Sequence, residues 1–225
     1  MADYTINSFT DLHDIVQSYG GSALTAVVYR GEESVGYQLI PKVGRLRGFR
    51  SPILDENEER LILRLFKQQA VPYINRLPET EWDWLAIGQH HGLPTRLLDW
   101  TRNPLVACYF AVEKEFADDS VIYAYKSNKQ IDPTKKVDPF AVTEVSRFIP
   151  NHITNRITAQ AGIFTIHPDP RIPFVAKTLD RIVIPASLRR DLKKTLYKFG
   201  LHASTLFPDL DGLSRHITWL RTDSH

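Results

Sequence analysis

Apolar positions fall at helical spacing from the first residues on. Leu12, Ile15, Val16 and Tyr19 share one face, and Ser8 with Asp11 places a capping box ahead of them. The pattern predicts a helix that Gly20-Gly21 ends. ALTAVVYRG is rich in residues that suit a buried strand near Ala26–Arg30 and stops at Gly31. ENEERLILRLFKQQA predicts a helix with Leu61, Leu65 and Phe66 buried and glutamates at its positive end. Thr80 and Asp83 form a second capping box, opening a helix that carries Trp82, Leu85 and Ala86 towards Gly88 or Gly92. After Pro94, TRLLDW predicts a short buried strand over Arg96–Asp99. Asn103-Pro104 caps and starts a helix. Leu105, Cys108, Val112 and Phe116 give that helix its core stripe, with Glu113 and Glu115 outside.

Further strands are predicted near Val121–Tyr125, Gln160–Ile166 and Arg181–Ile184. ASLRRDLKKTLYKFG predicts a helix burying Leu188, Leu192, Leu196 and Phe199, with Gly200 past its end. In LFPDLDGL, Phe207 and Leu210 are expected to anchor the chain and Asp211 to cap a last short helix in LSRHITWL. Ser127–Asn155 is polar, carries prolines and shows no period, which predicts a long loop. Strands and helices interleave without a βαβ repeat. The expected fold is therefore α+β, with a mostly antiparallel central sheet and flanking helices. The length, 225 residues, suits a single domain over 1–225.

Composition narrows the classes. A net charge of +2 gives no general field for nucleic acid or membrane, and leaves a local basic patch open. The single cysteine, Cys108, rules out an intrachain disulfide and reads as core packing. MADYTINSFTDLHD lacks the basic start and apolar run of a signal peptide. No window approaches the ~20 apolar residues that span a bilayer. A cytoplasmic protein without membrane contact is expected.

Most signatures of chemistry are absent: no Gly-rich dinucleotide fingerprint, no phosphate loop, no Gly-x-Ser-x-Gly elbow. His90 and His91 are adjacent and point apart, so no metal site is expected. What stands out is polarity inside apolar segments. Arg30 ends an apolar strand and needs an acceptor, either a structural partner such as Asp99 or an anionic ligand held bidentately. Gly31 would let a ligand approach the backbone closely. Gln89, His90, His91, Thr95, Arg96 and Asp99 crowd one short stretch, and buried they must pair with each other or with a ligand. Gln160 and Gly162 interrupt a strand, as a plain bulge or as a ligand contact.

At these residues the chain resembles a known family. VVYRG, QHHGLPTRLLDWTRNPLVACYFA, RITAQAGIF and LFPDLDGL look like four signature blocks of the FRG domain, with Tyr29 where the family name has Phe. The block order also resembles that of DarT-like ADP-ribosyltransferases. That resemblance implies Arg30 for the first motif, Thr95 to Asp99 followed by Tyr109 for the second, and Gln160 to Gly162 for the third. Gly162 stands where those enzymes carry a catalytic Glu, so Asp99, Gln160 or Glu33 would have to replace it.

Three functions stay open. The first is an enzyme acting on NAD or another nucleotide, an ADP-ribosyltransferase-like toxin or phage-defence effector. It would use Arg30, Asp99 and Gln160 in catalysis, and Arg30, Gly31, Gln89, His90, His91, Thr95, Arg96 and Tyr109 for binding. NAD would be its substrate, no metal would be needed, a nucleotide or nucleic acid would be the acceptor, and an antitoxin-like protein would be a partner. The second is a nucleotide- or nucleic-acid-binding module of the same fold that does no chemistry. The third is a protein-interaction domain whose polar residues form a structural network.

Overall fold

A computed structural model of the chain describes residues 2–20, 27–47, 56–74, 77–115, 117–132, 137–150 and 155–222. Gly21, Ala26 and Phe116, which entered the expectations above, lie outside these. The described chain builds one mixed, eight-stranded sheet with helices packed on it. In chain order the strands are β1 (Asp3–Thr5), β2 (Val27–Glu32), β3 (Leu97–Thr101), β4 (Ser120–Lys126), β5 (Gln130–Ile131), β6 (Ser146–Phe148), β7 (Gly162–Ile166) and β8 (Leu179–Ile184). The helices are α1 (Phe9–Ser18), α2 (Lys42–Arg45), α3 (Glu56–Ala70), α4 (Glu81–His90), α5 (Pro104–Val112), α6 (Asn155–Ala159), α7 (Arg189–Lys198), α8 (Ala203–Leu206) and α9 (Leu210–Arg221). Across the sheet the order is β1-β8-β4-β2-β3-β7-β6-β5. The β1–β8 and β5–β6 ladders are parallel and the others antiparallel, so the α+β architecture with a mostly antiparallel sheet holds.

Local signals explain most of these elements. Ser8 accepts from the Asp11 N–H at the start of α1. Thr80 and Asp83 exchange both bonds of a capping box ahead of α4, and Asn103 accepts from the Leu105 N–H ahead of α5. Two apolar clusters then cover the sheet. α5 and α7 pack on β2, β4 and β8 around Tyr29, Cys108, Ile122 and Ile182. α3 and α4 pack on β3, β6 and β7 around Trp82, Leu97, Phe148 and Ile166. A third cluster, with Val28, Trp100, Tyr125 and Phe174, fills the other face. Cys108 is fully buried, and burial pushes its thiol up to about 12.

Several expectations are corrected. α3 buries Glu59, Leu63 and Ala70, with Phe66 half-buried, and leaves Leu65 44% exposed. The inward face of α3 includes a carboxylate whose partner, Arg96, stands just ahead of β3, and hydrophobicity alone turned the helix away from it. The span Ser127–Asn155 contributes β5 and β6, short strands formed by pairing rather than by their own composition. The strand expected over Gln160–Ile166 starts at Gly162, after helix α6, because Ala161 turns the chain with a left-handed φ of 47°. α5 ends at Val112, and Glu113 is partly buried rather than exposed. Phe199 is exposed and stacks on Phe9 at 5.4 Å. Leu210 is also exposed, and Leu206 and Phe207 anchor the block. Asp209, not Asp211, caps α9, because its carboxylate stands three residues ahead of the Gly212 N–H it accepts from (2.7 Å).

One buried histidine makes the fold pH-sensitive. His167 is 2% exposed, and its Nε2 lies 2.9 Å from Thr165 Oγ1, which also accepts from Trp100 Nε1. Burial, aided by Arg30 and Arg96, lowers its pKa from 6.5 to about 4. The unfolded chain therefore takes up this proton first. His167 costs no stability above pH ~6.5, and stability falls as pH drops towards 4, by up to about 3 kcal/mol. Urea unfolding at pH 7, 5.5 and 4.5 should show this slope, and His167→Gln should flatten it. An equal slope in the variant would assign the pH dependence elsewhere.

A polar cleft where two strands part

β2 pairs with β4 along all six of its residues, but with β3 only at Tyr29↔Thr101. Beyond that pair the two strands separate and leave backbone groups without ladder partners. Arg30 fills one vacancy: its Nη1 donates to the Asp99 carbonyl at 2.7 Å. The opening is a cleft of about 390 Å³ between the strand ends, the end of α4 and the start of β7. A second lobe of about 550 Å³ continues from it, sharing Arg30, Arg45, Gln89, His90, Asp99 and Arg156. Side chains alternate along a strand, so Leu97, Asp99 and Thr101 share the face of Tyr29. Asp99 thus falls in the seam between the helix group on β2 and the group on β3.

A chain of hydrogen bonds leads from the core into the cleft. The buried Thr95 hydroxyl donates to Gln89 Oε1 (2.6 Å), and Gln89 Nε2 donates to Asp99 Oδ2 (2.8 Å). Both ends of the Gln89 amide are engaged, so its orientation is set. Arg30 Nη1 stands 3.7 Å from the same Asp99 oxygen, and Arg30 Nε donates to Glu32 Oε1 at 2.6 Å. Burial works against the Arg30 charge, and Glu32 and Asp99 outweigh it, raising the guanidinium pKa. Arg30 is thus a paired ion. His90 faces both lobes, and burial with its neighbours His91 and Arg156 lowers its pKa to about 4, so it is neutral at pH 7.

The QAG turn forms the far wall. Gln160 Nε2 donates to the Leu206 carbonyl (3.0 Å), and its own carbonyl accepts from Thr101 Oγ1 (2.7 Å). Its side-chain amide therefore ties the wall to α8. A Cβ on Gly162 would meet Ile157 Cγ2 and the Ile157 carbonyl at 3.3 Å. A side chain at 162 would need Ile157 to give by only a few tenths of an ångström; with glycine there, the acidic groups of this cleft come from elsewhere.

Of the residues singled out in the sequence, Arg30, Gly31, Gln89, His90, Asp99 and Gln160 line one cleft. His91 reaches only the second lobe and an apolar groove against α3. Thr95 stands behind Gln89, buried. Three placements differ from expectation. The absent side chain of Gly31 serves packing: a Cβ there would lie 1.9 Å from the Ala107 carbonyl oxygen, so the close approach is to α5. Arg96 points away from the cleft into a bidentate pair with Glu59 (2.9 and 2.7 Å), both nearly fully buried. Tyr109 does not stand beside Arg30. Its hydroxyl lies 3.4 Å from Glu113 Oε1 and its ring lines a separate cavity under α9. On α5 it is Phe110 rather than Tyr109 that lines the cleft.

Sequence reasoning missed Glu32, Arg45, Phe110, Glu113 and Arg156, all of which line the cleft. Glu32 had a signal, because residues two apart on a strand share a face and Arg30 needed an acceptor. Arg156 stood in the RITAQAGIF block, four residues ahead of Gln160, and was passed over, whereas Arg45 had no signal, since it arrives on a short helix outside the quoted blocks.

The mixed sheet with a polar cleft cut between parting strands defines the chain as an α+β protein with a recessed, charged site. Residues 25–120 match the family model of the FRG domain, and the chain carries an FRG domain. The matched stretch holds Arg30, Gln89, His90 and Asp99, whereas Arg156 and Gln160 follow it. No curated protein and no solved structure matches the chain.

Proposed function

We propose that this cleft binds a nucleotide and acts on NAD by ADP-ribosyl transfer. The observation that carries the proposal is the Asp99 carboxylate, fixed by Gln89 in a cleft where the Arg30–Glu32 pair stands beside it. In the reaction the bond between ribose C1′ and the nicotinamide nitrogen breaks, and nicotinamide leaves with the electron pair. An acceptor nucleophile then bonds to C1′ and gives up a proton. A carboxylate suits the positive charge that develops on the ribose. The proposal treats residues 1–225 as one functional unit, since β1 and β8, from opposite ends of the chain, pair in the same sheet. An NAD-consuming protein of this kind would act as a toxin or phage-defence effector, with a nucleotide or nucleic acid as acceptor and an antitoxin-like protein as partner. This part of the reading rests on the DarT-like block order alone.

The test is release of nicotinamide from NAD by the purified protein, followed by chromatography. Wild type is expected to consume NAD slowly, and Asp99→Ala to lower turnover by a factor of 10² or more with an unchanged circular dichroism spectrum. NAD that stays intact with every acceptor class offered would sink the catalytic reading. The absence of a carboxylate at Gly162, where the resembling enzymes carry Glu, favours the second reading, a binding module without turnover. On that reading NAD, ADP-ribose or ATP raises the melting temperature while NAD stays intact.

A further inference from the structure

The second lobe shows where a nucleotide's charge belongs. It is faced by four cations, Arg30, Lys42, Arg45 and Arg156, and by one carboxylate, Asp99. The first lobe adds Glu32, Glu33 and Glu113. Resting on the nucleotide-binding reading, we propose that the ligand's phosphates sit in the second lobe on Arg156 and Arg45, with Lys42 at its edge, and not on Arg30. The sugar and ring then point inward, towards Asp99 and Glu32.

Arg30 spends Nε on Glu32 and one Nη1 hydrogen on the Asp99 carbonyl, and Glu32 and Asp99 already pair its charge, so a phosphate gains less there than on an unpaired guanidinium. Arg156 is half-buried, and its guanidinium lies over the Phe207 ring at 4.3 Å. It has no hydrogen-bond acceptor among the described residues, and Asp209, Asp99 and Glu113 act on it only through space. Burial and the nearby Arg215 make its charge costly. A guanidinium carries five N–H donors, so an anion arriving here gains charge-assisted bonds and relieves an existing penalty. Arg45 is exposed and likewise lacks an acceptor among the described residues. Lys42 Nζ donates to the Gly92 carbonyl at the end of α4 (2.6 Å), which holds it in place with two further donors to offer. The carboxylates of the first lobe repel phosphate, so the same charges that attract a pyrophosphate also set which end of the ligand enters first.

Isothermal titration with inorganic pyrophosphate and with ADP-ribose tests this. Wild type should bind both, more weakly as salt is raised. Arg45→Ala and Arg156→Ala should each weaken binding roughly tenfold and the double variant roughly a hundredfold, as expected for lost charge-assisted bonds. Arg156→Lys should retain part of the affinity, which separates loss of charge from a collapse of the Phe207 contact. Pyrophosphate and ADP-ribose affinities unchanged in the double variant would overturn the proposal, as would failure of wild type to bind either. The two proposals fail separately. Pyrophosphate binding that depends on Arg45 and Arg156 in a protein that leaves NAD intact keeps the phosphate site and removes the catalysis. NAD cleavage by the double variant with an unchanged KM does the reverse.

Discussion

Glu59→Ala is expected to destabilise the protein by about 3–5 kcal/mol, the cost of leaving a buried charge without its partner. Arg96 and Glu59 are 3% and 5% exposed in their side chains. The pair is bidentate, and the remaining Arg96 nitrogen reaches the Phe140 and Pro168 carbonyls at 3.3 and 3.5 Å, with the guanidinium near the Phe140 ring. No water can replace Glu59 without opening the contact between α3 and the sheet. Denaturant titration should show a lower midpoint with an unchanged slope. Removing both charges at once, Arg96→Met with Glu59→Leu, should recover much of the loss, because apolar residues of similar volume can replace a buried pair. A double variant no better than the single one would show that the pair's bonds to the Phe140 and Pro168 carbonyls carry the stability instead. Neither residue lines the cleft, so ligand binding by the folded fraction should be unaffected.

Gly31→Ala is expected to cost about 3 kcal/mol or more, above the usual range for overpacking because the clash is with backbone. The new Cβ would lie 1.9 Å from the Ala107 oxygen and 2.6 Å from the Ala111 nitrogen, both in the α5 backbone. No rotamer change relieves such a contact, so α5 must lift off β2. That movement disturbs the centre of the core and also the cleft edge beside Arg30. Gly200→Ala is the matched control. There φ is +76° with nothing within 4 Å of the added Cβ, so only backbone strain is paid, about 1 kcal/mol. Equal losses in the two variants, read as unfolding free energies, would show that Gly31 is needed for its conformation and not for space.

Much of the local structure was legible because its causes are local. Ser8–Asp11, Thr80–Asp83 and Asn103–Pro104 start helices through side-chain bonds to backbone N–H groups three or fewer residues away. The apolar run of β4 declares itself because both faces of that strand are buried. α3 was misread for a reason outside the helix. Its inward Glu59 is stable only because Arg96 comes to it, 37 residues further along the chain. β5 and β6 are too short and mixed to signal a strand, and exist through their neighbours.

The sequence by itself determined which short stretch would concentrate polar groups, and that Arg30 would need an acceptor. It also placed Cys108 in the core, as part of an apolar helical stripe. The tertiary structure alone decided which of those polar groups meet. Gln89 and Asp99 converge because α4 ends where β3 begins to part from β2, while Arg96, one side-chain alternation away, is carried to the opposite partner. Tyr109 and Phe110 are adjacent in the chain, yet one lines a separate cavity and the other the cleft, since successive helical residues point about 100° apart. Arg45 and Arg156 reach the second lobe from segments more than a hundred residues apart. Convergence of that kind depends on long-range packing energies summed over the whole core, and no local spacing records it.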